Sequence, residues 1–153
     1  MVKKYHTYKR TIGAHSRFNQ EMYEKYDIPA RDVVKKYLKE KVEEHPNEKK
    51  QDFILKCALK KNKKKYKYLE VQVIADWYGY EYPHKTLWIY ERKKFYDSDT
   101  MYLTLNRNMT FGYIFDRDSF RDVKPRRKRK YAREFVIDIP WHQVMKCNVE
   151  ELY

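Results

Sequence analysis

Alternation of apolar and polar positions predicts two strands in the middle of the chain. The first extends from residue 53 to 59, and its apolar face carries Phe53, Leu55, Cys57 and Leu59. The second extends from 66 to 74, with Leu69, Val71 and Val73 on one face. A lysine-rich stretch, 60–65, separates them and breaks the alternation. The pattern therefore predicts an antiparallel hairpin.

The clearest helical pattern precedes this hairpin, from Ala30 to Glu44. Its apolar residues recur at helical spacing, with lysine and glutamate at most other positions; they are Val33, Val34, Tyr37, Leu38 and Val42. Pro29 stands where the first helical turn tolerates proline. We expect this helix to cover Leu69, Val71 and Val73. A shorter helix is predicted from 17 to 26.

Later segments predict a sheet followed by a helix. Strands are expected at 86–92, 100–105, 110–115 and 134–139. A C-terminal helix is expected from Pro140 to about Leu152, with side chains that pack on the sheet: Trp141, Val144, Met145 and Val149. The expected fold class is α/β (α+β), a single domain with a central mixed β-sheet, an N-terminal helix before the hairpin, and a C-terminal helix.

Charge narrows the choice of partner. The chain of 153 residues has a formal net charge of +13, which favours nucleic acid first and an anionic membrane surface second. The basic segments are an N-terminal arm, 1–16, and a loop, 121–133. Within that loop the expected nucleic-acid-binding residues are Arg126, Arg127, Lys128, Arg129 and Lys130; nuclear import and a solvated loop are the alternatives.

Several function classes lose support from what the sequence lacks. The five histidines and two cysteines form no zinc spacing, and no glycine-rich phosphate loop is present. No apolar run approaches the roughly 20 residues of a membrane span. An intracellular protein, cytoplasmic or nuclear, is expected. Aromatic residues near basic ones could stack on unpaired bases or form cross-strand pairs in the core; these are Trp77, Tyr78, Tyr80, Tyr82, Trp88 and Tyr90, near Arg92 and Lys93.

Two carboxylates carry the candidate chemistry. Asp52 opens the first strand of the hairpin, and Glu70 lies in the second on the same predicted face as Gln72. Two converging carboxylates are a minimal oxygen site for Mg²⁺ or Mn²⁺, which can activate water and bind a phosphodiester. Like charges at one site repel each other, so replacing Asp52 or Glu70 by its amide is expected to stabilise the metal-free protein.

The same residues resemble the PD-(D/E)XK nuclease superfamily, whose site is an Asp followed after a variable gap by (Asp/Glu)-X-Lys. Asp52 matches the first acid, Glu70 the second, and Gln72 stands at the lysine position. The resemblance covers the middle third of the chain. It implies a restriction-endonuclease-like fold, a Mg²⁺ or Mn²⁺ cofactor and a nucleic-acid substrate, for which DNA is expected.

Further residues acquire roles from this resemblance. Lys56 could supply the ammonium that Gln72 lacks, and an additional metal-binding glutamate on a first helix could be Glu21, Glu24 or Glu40. The family core continues with a helix directly after the (Asp/Glu)-X-Lys strand, whereas this chain continues in strands. The alternative function is a non-catalytic basic nucleic-acid-binding or virion structural protein with a degenerate nuclease fold; the Lys- and Tyr-rich composition suits an AT-rich genome such as that of a large DNA virus.

Overall fold

A computed structural model describes residues 21, 23–47, 51–56, 66–96, 98–128 and 134–152. The predicted arm 1–16 and the hairpin turn 60–65 lie outside these residues, as do Cys57, Arg129 and Lys130. Most of the predicted helix 17–26 does too, although Tyr23–Asp27 is a π-helical turn. Within the described residues, no helix is long and apolar enough to cross a bilayer.

Helix α1 spans Ile28–Leu38 and has a proline in its first turn, as predicted. It buries Ala30, Val34 and Leu38. The predicted extension to Glu44 is wrong. Lys39 takes a positive φ of 48°, which interrupts the helical path. A 3₁₀ turn follows at Lys39–Lys41, and the β-branched Val42 begins a strand.

Nine strands lie in the described residues: β1 Val42–Glu44, β2 Phe53–Leu55, β3 Tyr68–Ile74, β4 Leu87–Tyr90, β5 Thr100–Asn106, β6 Phe111–Asp116, β7 Arg126–Arg127, β8 Phe135–Ile139 and β9 Met145–Asn148. Six form one sheet in the order β1-β2-β3-β5-β6-β9, and three form a second in the order β4-β8-β7. The large sheet is mixed as predicted, because β3 and β5 are parallel while its other neighbours are antiparallel.

The hairpin prediction is confirmed where the chain is described. Strands β2 and β3 are antiparallel, with Phe53 opposite Leu69. Leu69 and Val71 are buried in one core with Val34 and Leu38 of α1, and Val73 packs against that core half-buried. Helix α1 therefore covers the predicted face of β3.

The opposite face of the large sheet packs on the second sheet. Ile74, at the end of β3, belongs to a core that also contains residues of both sheets; these include Tyr102, Tyr113, Leu87, Ile89 and Ile137. The large sheet therefore lies between α1 and the second sheet. Since side chains alternate along a strand, Glu70 and Gln72 lie on this second face.

Two further predictions are wrong. The C-terminal segment has no α-helix from 140 to 152 but a 3₁₀ turn at Trp141–Gln143, strand β9, and a 3₁₀ turn at Val149–Glu151. Strand β6 pairs with β9 from Phe111 opposite Asn148 to Ile114 opposite Met145. This pairing satisfies backbone N–H and C=O groups at the edge of β6 that a helix would leave unpaired. Trp141 and Met145 are exposed, whereas Val149 is buried and Val144 packs half-buried against the core, as expected. The basic segment is also not wholly a loop, because Arg126–Arg127 form β7.

Candidate active site

The hairpin brings Asp52 and Glu70 together. The backbone N–H of Asp52 donates to Oε1 of Glu70 at 3.2 Å, and the N–H of Val71 donates to Oδ2 of Asp52 at 2.9 Å. Asp52 is 6% exposed and Glu70 is 2% exposed. Two carboxylates separated by 18 positions therefore share one buried location, as the hairpin predicted.

Each carboxylate also contacts a cation. Nη1 of Arg31, from α1, lies 2.7 Å from Oδ1 of Asp52, and Nζ of Lys93 lies 3.0 Å from Oε2 of Glu70. All four carboxylate oxygens thus accept a hydrogen bond or an ion pair. Arg31 also pairs with Glu44 at 2.8 Å, and its hydrogen bond lowers the pKa of the Glu44 carboxyl.

Gln72 is held in place beside this pair. Its Nε2 donates to Oγ1 of Thr104 at 2.9 Å and to the carbonyl oxygen of Trp88 at 3.1 Å. These bonds join β3 to β5 of the same sheet and to β4 of the second sheet. Both amide protons are therefore engaged, and the orientation of the amide is fixed.

Lys93 lies in a 3₁₀ turn, Glu91–Phe95, that follows β4. The Tyr102 hydroxyl donates to the Lys93 carbonyl at 2.6 Å and anchors this turn over the large sheet. Tyr102 is directly opposite Glu70 in the β3–β5 pair. Burial, followed by the Glu70 charge, raises the pKa of Tyr102, so its hydroxyl stays a neutral donor at neutral pH.

Two of the predicted residues are not brought to this location. Lys56 is exposed, and the ammonium at the carboxylates belongs to Lys93 instead. Glu21 is exposed, and no group of three His, Cys, Asp or Glu residues that could hold a metal ion occurs in the described part of the chain. Glu24 and Glu40 are exposed as well.

Arg31 and Lys93 are the residues that sequence reasoning missed. Arg31 is 21 positions from Asp52, and Lys93 comes after an intervening strand in a segment rich in lysine and arginine. No local spacing distinguishes these two cations from the other 33 lysines and arginines among the chain's 35. Only the layering of helix, sheet and second sheet brings them to the carboxylates.

A cleft of about 480 Å³ opens near this site and is lined by Lys67, Tyr68, Phe95, Tyr96, Ser98, Asp99 and Arg117. Tyr68 precedes Glu70 by two positions on the same face of β3, and Phe95 follows Lys93 by two. The cleft therefore lies at the end of β3 nearest the carboxylates. None of the four charged side chains of the site lines this cleft; the carboxylates are 7% and 2% exposed and the cations 17% and 13%.

The predicted nucleic-acid-binding residues lie on the second sheet where they are described. Arg126 pairs with Asp138 through Nε at 2.6 Å and Nη2 at 2.9 Å, which raises the pKa of the arginine. Arg127 is exposed. Lys128 donates to the Tyr90 hydroxyl at 2.8 Å. The basic run is thus attached to β4, the strand whose backbone contacts Gln72.

Carboxylate oxygens, such as those of Asp52 and Glu70, are the ligand type that the hard cations Mg²⁺ and Mn²⁺ prefer. Mg²⁺ is commonly bound by one or two carboxylates, with water and substrate phosphate as its other ligands. The protein would supply these two ligands, and Glu21 would not contribute a third.

Comparisons of the chain with protein-family models, with curated proteins and with solved structures each give no match.

Proposed function

We propose that the protein is a divalent-metal-dependent, nuclease-like protein that acts on phosphodiesters of nucleic acid. The observation that carries this proposal is the meeting of Asp52, Glu70 and Lys93 at one location, with Gln72 two positions after Glu70 on the same face of β3. Removing charges from water costs several kcal/mol per ion. A cluster of buried ionisable groups beside a cleft is therefore a candidate functional site.

Each residue has a role in this proposal. Asp52 and Glu70 hold the metal ion, which when bound would supply an activated water and neutralise phosphate charge. Gln72, whose amide is held by its hydrogen bonds to Thr104 and Trp88, positions the attacking water. Lys93 supplies the positive charge that the superfamily places at the position of Gln72, and it favours the negative charge that develops on the phosphate.

The order of the elements supports the resemblance to the PD-(D/E)XK core. Helix α1 is followed by the antiparallel strands β1, β2 and β3, and then by β5, parallel to β3. A parallel pair needs a crossover connection. In the superfamily a helix occupies that crossover; here it contains β4 and the Glu91–Phe95 turn, and this turn carries Lys93.

Cleavage by the wild-type protein tests this proposal directly. We expect single-stranded and supercoiled DNA to be cut in the presence of Mg²⁺ or Mn²⁺ and left intact with EDTA. The products should show bond breakage that scales with enzyme concentration. Intact DNA with every metal tested would contradict the catalytic proposal.

A second candidate function is supported by a specific contact pattern. All four oxygens of Asp52 and Glu70 already accept a bond from Arg31, Lys93 or the backbone. Such a site needs no metal for charge balance, which suits a non-catalytic nucleic-acid-binding protein. Melting curves discriminate between the two functions: Mn²⁺ should raise the melting temperature if it binds the native state, and the curves should superimpose if it does not.

Both functions predict salt-dependent DNA binding through the basic strand of the second sheet. We expect the triple variant Arg126→Gln/Arg127→Gln/Lys128→Gln to bind duplex DNA more weakly at all sequences. The slope of log affinity against log salt should become shallower by roughly 0.9 for each lost phosphate contact. Fluorescence anisotropy at several salt concentrations measures this slope.

The matched control removes the same charge from the opposite layer of the molecule. Lys35, Lys36 and Lys39 are exposed at the end of α1, and their conversion to Gln should leave the slope close to that of the wild type. If both triple variants reduce the slope equally, the affinity for DNA depends on the net charge alone and the second sheet is not the binding surface.

A further inference from the structure

The second sheet turns one face to the core and the other outward. Leu87 and Ile89 of β4 are 0% and 1% exposed and belong to the core. Trp88 and Tyr90 alternate with them and are half-buried outside that core. Because successive side chains of a strand point to opposite faces, Trp88 and Tyr90 lie on the outer face.

Cations share this outer face. Tyr90 and Arg126 are both directly opposite Val136, and directly paired residues lie on the same side of a sheet. Nζ of Lys128 is 4.9 Å from the Trp88 ring centroid and 5.0 Å from that of Tyr90. The Arg92 guanidinium carbon is 4.4 Å from the Tyr90 centroid. We call this set the aromatic–basic strip: Trp88, Tyr90, Arg92, Arg126 and Lys128.

The charge of the strip suits phosphate. Of its three cations, Arg126 pairs with Asp138, the one carboxylate within the strands of the second sheet, and Arg92 and Lys128 lie over the aromatic rings. The two rings lie 5.2 Å apart and are inclined by 74°. Their direct cross-strand neighbours are Asp138 and the buried Val136, and the cations Lys128 and Arg92 lie over the rings.

The strip leads to the carboxylates. The backbone oxygen of Trp88 accepts from Gln72 at 3.1 Å. Arg92 lies in the Glu91–Phe95 turn that directly follows β4, and the next residue, Lys93, contacts Glu70. A chain laid along the outer face of β4 from Trp88 towards Arg92 therefore reaches the turn that carries Lys93.

We propose that the strip binds an unpaired segment of DNA and directs it to Asp52 and Glu70. Bases would stack on Trp88 and Tyr90, and phosphates would contact Arg92, Arg126 and Lys128. Aromatic side chains stack on any base whose face is open, whereas a duplex offers mainly phosphates to such a surface. This inference rests on the proposed function, because it takes nucleic acid as the partner, and it specifies the substrate as single-stranded or locally melted DNA.

Binding without catalysis tests the strip. Fluorescence anisotropy in EDTA compares a short single-stranded oligonucleotide, its duplex, and an abasic oligonucleotide of equal length. We expect the wild type to prefer the base-containing single strand over the abasic one. Trp88→Leu/Tyr90→Leu should weaken single-strand binding by roughly ten-fold for each lost ring and change duplex binding less than two-fold.

Two control variants separate stacking from general surface effects. Trp88→Phe/Tyr90→Phe keeps both rings and should restore most of the single-strand affinity. Tyr78→Leu removes a more exposed ring elsewhere, which has Arg107 at 5.1 Å from its centroid, and it should bind single strands like the wild type. Melting curves confirm that each variant is folded.

Cross-linking provides a test that needs no variant. Irradiation of the wild type with bromodeoxyuridine-containing single strands should attach the base to Trp88 or Tyr90, as read by peptide mass spectrometry. Equal affinity for abasic and base-containing strands, or wild-type affinity in the double Leu variant, would overturn the proposal that the strip binds unpaired DNA. None of these readouts requires cleavage, so failure of the nuclease proposal and failure of the strip are distinguishable.

Discussion

Glu70→Gln is expected to abolish metal-dependent cleavage and to lower the melting temperature of the metal-free protein by about 10 °C. Loss of cleavage follows if Glu70 is one of two carboxylates that hold the ion. Loss of stability follows because Lys93, only 13% exposed, would remain without its carboxylate. Removing one partner of a buried ion pair costs about 3–5 kcal/mol.

This stability effect has the opposite sign to the one expected from the sequence. Two carboxylates at one site would repel each other, and neutralising one would then be stabilising. The structure reverses this expectation, because Arg31 and Lys93 compensate Asp52 and Glu70. We expect Asp52→Asn to be destabilising for the same reason, with Arg31 left in a half-buried position.

A double-mutant cycle checks the origin of the effect. Glu70→Gln/Lys93→Met removes both charges, so it should be less destabilised than the sum of the two single variants. The control is the neighbouring pair of Lys94 and Glu91, whose side chains are 33% and 34% exposed. Glu91→Gln should change the stability by less than about 1 kcal/mol. A Glu70→Gln protein that has the melting temperature of the wild type, or that still cleaves DNA, would contradict the prediction.

Val71→Asp is expected to prevent folding. Val71 is 8% exposed, lies in the core beneath α1, and pairs with Leu103 across the parallel β3–β5 contact. Burial of a valine side chain contributes about 1.5–3 kcal/mol, and an unpaired buried carboxylate adds a further desolvation cost. The sum is comparable with the total stability of a domain, roughly 5–15 kcal/mol.

Circular dichroism and urea titration measure this effect. Val71→Ala should remain folded with reduced stability, which separates the lost volume from the introduced charge. Glu43→Lys, at an exposed position of β1, provides a charge change in the same sheet and should fold normally. A cooperative, near-wild-type unfolding transition for Val71→Asp would show that β3 is not buried under the helix.

Part of the candidate site could be predicted from the sequence, because its two carboxylates lie within one hairpin. Alternation in β2 and β3 placed Asp52 and Glu70 on one face and Leu69 and Val71 on the other. That reasoning succeeds because the period of two reports directly which face of a strand is buried. The metal role of the carboxylates and the nuclease function stay predictions.

Tertiary structure decided which cations contact the carboxylates and which secondary structure the C-terminal segment forms. Arg31 and Lys93 reach the carboxylates only because α1 and the turn after β4 cover opposite faces of the sheet, and an ion pair between distant residues leaves no periodic signal. The apolar residues from Trp141 to Val149 suited a helix by spacing, yet the open edge of β6 supplied backbone partners that made Met145–Asn148 a strand. Local pattern thus determined most strands and one face of the core. Pairing across the chain decided the parallel β3–β5 contact, the C-terminal strand and the charge balance of the site, because hydrogen-bond and ion-pair partners are chosen by spatial neighbours rather than by sequence neighbours.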